Sequence, residues 1–173
     1  MTRFLWLLCA LALLLPSSRV NGGGEPNGVS LAITMDRRTA KLGDRILIEA
    51  QLRNMTERPV AFWGELLWGY RGGLILHVLR EDGSEVPSRP RVDESIIPSE
   101  LRKLSSYVTV QPAHTFGVVR SDRVSALVDS PGTYRISVEY LSPLPRNYAN
   151  VQNLWTRGRG AIRSPEVELT VTH

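Results

Sequence analysis

His77, His114 and His173 are the only three histidines of the chain. Histidine is the side chain whose ordinary proton affinity suits acid–base work near neutral pH. His77 sits inside the apolar run Leu74-Ile75-Leu76-His77-Val78-Leu79, His114 follows the turn Gln111-Pro112-Ala113, and His173 ends the chain. None stands at a motif spacing from a serine or an acid. There is no Gly-x-Ser-x-Gly elbow, no His-Glu-x-x-His pair and no glycine-rich phosphate loop. The pattern assigns no catalytic residue, and the expectation is a protein that is not an enzyme.

Acidic residues offer oxygen ligands to hard cations. Glu81, Asp82 and Glu85 surround one turn, and Asp93-Glu94 lie further on, without the Asp-x-Asp-x-Asp-Gly spacing of a dedicated calcium loop. They read as solvated turns, and neither a metal nor another cofactor is expected. The single cysteine, Cys9, lies near the N-terminus, so residues 23–173 hold no disulfide and no thiolate site. Asn54-Met55-Thr56 is a glycosylation sequon, meaningful only in a eukaryotic secretory route.

Recognition chemistry is better represented. Aromatic and arginine side chains dominate binding hot spots. The first such stretch runs from Trp63 to Gly73 and carries Trp68 and Tyr70. The second, residues 143–165, carries Arg146, Tyr148, Trp155, Arg157, Arg159 and Arg163 and no acid. A connection of that length is usually functional or disordered. It is the expected contact surface, with a core-capping role the alternative for Trp155. Trp63, on a predicted strand, is expected in the core.

The elements that would position these residues are short strands. Val29, Leu31, Ile33 and Met35 alternate with small or polar neighbours, and Ile46, Ile48, Ala50 and Leu52 alternate more strictly. Further strands are expected at Val60–Trp63, Leu74–Leu79, Tyr107–Val110, Thr115–Val119, Tyr134–Tyr140 and Val167–Val171. Asp82-Gly83 has the chemistry of a tight hairpin. Residues 87–106 form an excursion with three prolines and room for one helical turn. Seven to nine strands with regular turn signals and no amphipathic helix indicate an all-β protein, an antiparallel sandwich or barrel.

Residues 1–22 read as a secretory signal: Arg3, the apolar run Phe4 to Leu15, the breakers Pro16-Ser17-Ser18, and small residues before a cleavage site after Gly22. That apolar run is too short to span a bilayer, which needs about twenty residues. Leu8 before Cys9 does not fit lipidation. Residues 23–28 form a flexible leader, and 29–173 one domain. No integral membrane segment is expected after cleavage, and the product would be secreted or periplasmic. The formal charge of +4 halves on loss of Arg3 and Arg19, too small a value to call for nucleic acid. With 42% hydrophobic and 22% charged residues, the chain is expected to be folded.

Asp129-Ser130-Pro131-Gly132-Thr133-Tyr134-Arg135-Ile136 resembles the corner before strand F of immunoglobulin-like domains, in which a tyrosine hydroxyl bonds back to the upstream backbone. The resemblance implies an immunoglobulin-like antiparallel β-sandwich with Gly132 and Tyr134 as its structural corner. It also implies Ile136 in the usual cysteine position, Ile48 or Ala50 opposite it, and Trp63 as the buried tryptophan of strand C. The strand order further resembles the bacterial domain first described as an intracellular proteinase inhibitor, whose chains are shorter. Such folds host many functions. The expectation is a non-catalytic binding module with a protein partner, or alternatively a polysaccharide; a proteinase inhibitor and a carbohydrate-binding module are the competing readings.

Overall fold

The computed structural model describes residues 28–69, 73–87, 107–146 and 151–173. The predicted signal and most of the leader, the 88–106 excursion, Tyr70 and Tyr148 lie outside them. The described residues form an all-β structure of eleven strands and two short 3-10 turns.

Strands β1 (Val29–Met35), β3 (Arg45–Asn54) and β8 (Thr115–Arg123) make one antiparallel sheet in the order β1-β3-β8. The strict alternation of β3 places Ile46, Ile48, Ala50 and Leu52 on its buried face, as its period of two demands. The register sets Leu31 beside Leu52 and Leu52 beside Phe116, so apolar side chains stack across all three strands.

The second sheet runs β2 (Thr39–Lys41), β11 (Val167–Thr172), β9 (Gly132–Tyr140), β6 (Gly73–Arg80), β5 (Leu67–Trp68), with β10 (Ile162–Arg163) on part of β9. Its β2–β11 and β5–β6 pairings are parallel, so the expectation of a wholly antiparallel structure is corrected. The strand count also exceeds seven to nine, because two- and three-residue strands are too short to show a period. Both sheets contribute to one buried core: Ile46, Ile48 and Leu52 from the first meet Leu74, Ile136 and Leu169 from the second.

A third, two-stranded sheet joins β4 (Val60–Trp63) to β7 (Tyr107–Val110). Trp63 is buried, as expected, but in a satellite cluster with Ala61, Leu144 and Leu154. The place beside β9 in the main sheet is taken by β6, not by the strand bearing Trp63. The predicted hairpin at Asp82-Gly83 is present: Gly83 adopts φ +84, and its N–H donates to Arg80 O at 2.9 Å. The strand expected to return from it shrinks to a single bridge between Leu79 and Glu85.

Tyr134 is buried at the start of β9, and its hydroxyl donates to Ser130 O at 2.7 Å. This closes the turn that precedes the strand. Gly132, at φ +153, provides a backbone conformation that a side chain would strain.

Candidate binding surface

The described residues of the connection from Leu141 to Pro165 form a strap laid against the sheets. Ser142 Oγ donates to Trp155 O at 2.8 Å and accepts from Leu144 N–H at 3.3 Å. Trp155 N–H donates to Ala61 O at 2.8 Å, and Arg157 N–H to Leu144 O at 3.0 Å. At its far end β10 pairs with β9, and Ser164 ties in twice: its N–H donates to Val138 O at 2.8 Å while its Oγ accepts from Val138 N–H at 2.9 Å. With Leu144, Trp155 and Ile162 all buried, the strap completes the core from outside the strand pattern.

Trp155 is therefore not a contact residue, and that expectation is corrected. It is 0% exposed and stacks on Phe62, ring centroids 6.0 Å apart and planes at 24°; Phe62 in turn meets Tyr140 edge-on at 6.0 Å. An apolar ring this large gains more from leaving water than a loop position would suggest. Burial pushes the Tyr140 hydroxyl well above its ordinary range, so it stays neutral.

The arginines of the strap remain at the surface. Arg157 is exposed, with its Nε donating to Ser142 O at 3.4 Å. Arg146 is exposed across from Gly158; its Cβ and Cγ would lie 3.5 Å from a Cβ added there. Arg146 O also accepts from Thr156 Oγ1 at 3.4 Å. Arg159 is half-buried, its guanidinium 5.5 Å from the Trp155 ring centroid. The fold thus gathers Arg146, Arg157 and Arg159 around one short 3-10 turn, Arg157–Arg159.

Trp68 is held elsewhere. It is half-buried against the main core under Arg120 of β8, whose guanidinium lies 5.3 Å from its ring centroid. Arg120 also pairs with the fully buried Asp122. Trp68, expected as a binding residue, thus has one face of its ring under Arg120. Sequence reasoning missed this group, whose only signal is the unusual charge at alternate positions of an apolar edge strand.

Asn54, the sequon residue, is structural. It is buried, donates from Nδ2 to Arg58 O at 2.8 Å and Val110 O at 2.9 Å, and accepts from Thr56 N–H at 2.9 Å. An amide so bound is not presented for glycosylation.

A further polar group went unpredicted on the outer face of the second sheet. His77 Nδ1 lies 2.9 Å from Glu85, and its Nε2 lies 3.5 Å from Glu139 and 3.4 Å from Arg163. The register places His77 opposite Ser137. Among the described residues no group of three or more histidine, cysteine or acidic side chains is placed to hold a metal ion. None of their helices is long and apolar enough to cross a membrane.

No protein-family model matches the chain. No curated protein matches it either. Among solved structures it is similar to the β-glucosidase EmGH1 of Erythrobacter marinus, at 14% identity and a TM-score of 0.38, over 83% of this chain and 15% of the enzyme. A β-glucosidase of Listeria innocua in complex with glucose overlaps comparably, at 13% identity and a TM-score of 0.37, over 84% of this chain and 16% of that one. The chain thus spans about a sixth of the length of those enzymes, and overlaps this loose carry no argument about fold or activity.

Proposed function

We propose that the chain is an immunoglobulin-like β-sandwich acting outside the cytoplasm as a non-catalytic binding module. Its contact surface is the arginine-bearing part of the strap, and its partner is a protein with an acidic face. The observation that carries this reading is the state of Arg146 and Arg157. Both are exposed, have no carboxylate partner among the described residues and lie at one short 3-10 turn; Arg38, Arg45, Arg53, Arg58 and Arg123 also lack such a partner, so what sets this pair apart is its place on the strap. Arg157 is moreover pre-positioned by its bond to Ser142 O, which lowers the entropy lost on binding. A guanidinium held this way offers its remaining donors to carboxylates in a fixed fork.

The immunoglobulin-like reading draws support from the opposed orders β1-β3-β8 and β11-β9-β6 and from the Tyr134–Ser130 corner. Two competing readings lose ground. Carbohydrate stacking needs a bare aromatic face, and among the described tryptophans Trp63 and Trp155 are buried while Trp68 has Arg120 over one face. A proteinase-inhibitory loop needs an extended projecting segment, and the described strap is bonded down along its length.

The test is capture from an extracytoplasmic extract by wild type and by the double variant R146A/R157A. We expect the variant to lose a specifically retained acidic protein while its thermal unfolding is unchanged. Equal capture by both proteins would overturn the proposal.

A further inference from the structure

The outer face of the second sheet holds four polar side chains from four places in the chain: His77 on β6, Glu85 beyond the hairpin turn, Glu139 on β9, and Arg163 on β10 at the end of the strap. Arg163 Nη2 donates to Glu139 at 3.1 Å and lies 3.4 Å from His77 Nε2. A guanidinium can only donate, so Nε2 is the acceptor and the ring proton of neutral His77 sits on Nδ1, donating to Glu85 at 2.9 Å. One Arg163 amino group, with its two hydrogens, thereby serves both His77 and Glu139. The neighbouring charges on this face, Arg135 and Glu166, are paired with one another at 3.1 Å, and the cross-strand neighbour Ser137 is neutral.

We infer that Arg163 is an acid-released contact arginine, exchanged for His77 as the partner of Glu139. The inference rests on the strap being the contact surface. When His77 takes one proton from solvent at Nε2, that nitrogen changes from acceptor to donor. It has Glu139 within 3.5 Å to donate to, and Arg163 loses an acceptor and gains a like charge 3.4 Å away. No bond between heavy atoms is made or broken. His77 is hemmed in, with 18% of its side chain exposed, whereas Arg163 is 59% exposed and has solvent to move into. The mobile partner yields. Imidazole is the side chain whose charge changes between pH 5 and 8. Mild acidity therefore adds a freed arginine to a segment that already presents Arg146 and Arg157.

The test uses the full chain on immobilised heparin, whose sulfates stay ionised across this range, and compares the salt needed for elution at pH 7.5 and pH 5.5. Wild type is expected to need more salt at pH 5.5. H77Q and R163Q are each expected to lose at least half of that increase. In 15N-labelled protein at pH 8 the His77 imidazole is expected as the Nδ1–H form, and the Arg163 Nε–H signal to sharpen on acidification. An R163Q variant that keeps the whole increase, or an Nε2–H imidazole at pH 8, would overturn the inference. R157Q is the separate control: elution at lower salt at both pH values supports the strap as contact surface. Unchanged elution would remove that reading and leave the partner exchange to the imidazole and Arg163 signals.

Discussion

Arg159 lays its guanidinium 5.5 Å from the ring centroid of Trp155, on the far side of a strap whose inner side is that same buried indole. A surface cation and a core side chain are thus one unit. The ring anchors the connection, and the cation reports at the surface on whether the anchor is seated.

Trp155→Ala is expected to destabilise the protein by about 3–5 kcal/mol, the range for emptying a large aromatic site in a packed core. Arg159→Ala should cost only about 0.5–1 kcal/mol, the scale of a partly exposed cation–π contact. Urea unfolding of the two variants decides this. Similar small losses would mean that the indole contributes little to the core.

Tyr134→Phe removes one hydroxyl and leaves Ser130 O without the donor now 2.7 Å away. A loss of about 0.5–1.5 kcal/mol is expected in thermal or denaturant unfolding, the net worth of one hydrogen bond to a part-buried acceptor. An unchanged midpoint would show that the corner is held by packing alone.

Asp122 and Arg120 form a pair with the carboxylate fully buried. Asp122→Asn, which leaves Arg120 without its counter-charge, is expected to cost roughly 3–5 kcal/mol. The double substitution Arg120→Met, Asp122→Leu should recover most of that loss, because no charge then stays desolvated. Double-mutant-cycle stability measurements check the difference; a double variant as weak as the single one would contradict it.

Asp36 is held below the usual carboxylate range, chiefly by the Leu47 N–H that donates to it at 2.8 Å and further by Arg37. Asp82 and Asp129 are lowered too, by Ser84 and by Ser130 respectively. A folded-state value below the unfolded one near 3.9 binds fewer protons than the unfolded chain on acidification. Their stabilisation is therefore fully present above about pH 4 and is lost as pH falls through the lowered folded values. Denaturation midpoints measured from pH 6 down to pH 2 should show this decline, with Asp36→Asn shallower than wild type. Parallel curves would remove Asp36 from the account.

Period-two alternation determined much of the fold before any long-range contact was considered. Ile46 to Leu52, Tyr134 to Tyr140 and Val167 to Val171 each announced a strand with one buried face, because successive side chains of an extended chain point to opposite sides. Asp82-Gly83 announced its turn for an equally local reason, the positive φ that Gly83 adopts. The gathering of arginine in residues 143–165 was likewise open to inspection. Tertiary structure alone decided which strand sits beside β9, that Trp155 points inward onto Phe62, that Trp68 lies under Arg120, and that His77 meets Arg163. A connection has no period from which to read an inward side, and a polar contact between distant strands has no sequence spacing. Burial and pairing there depend on which distant strand arrives, and that is set by how both sheets close over one core.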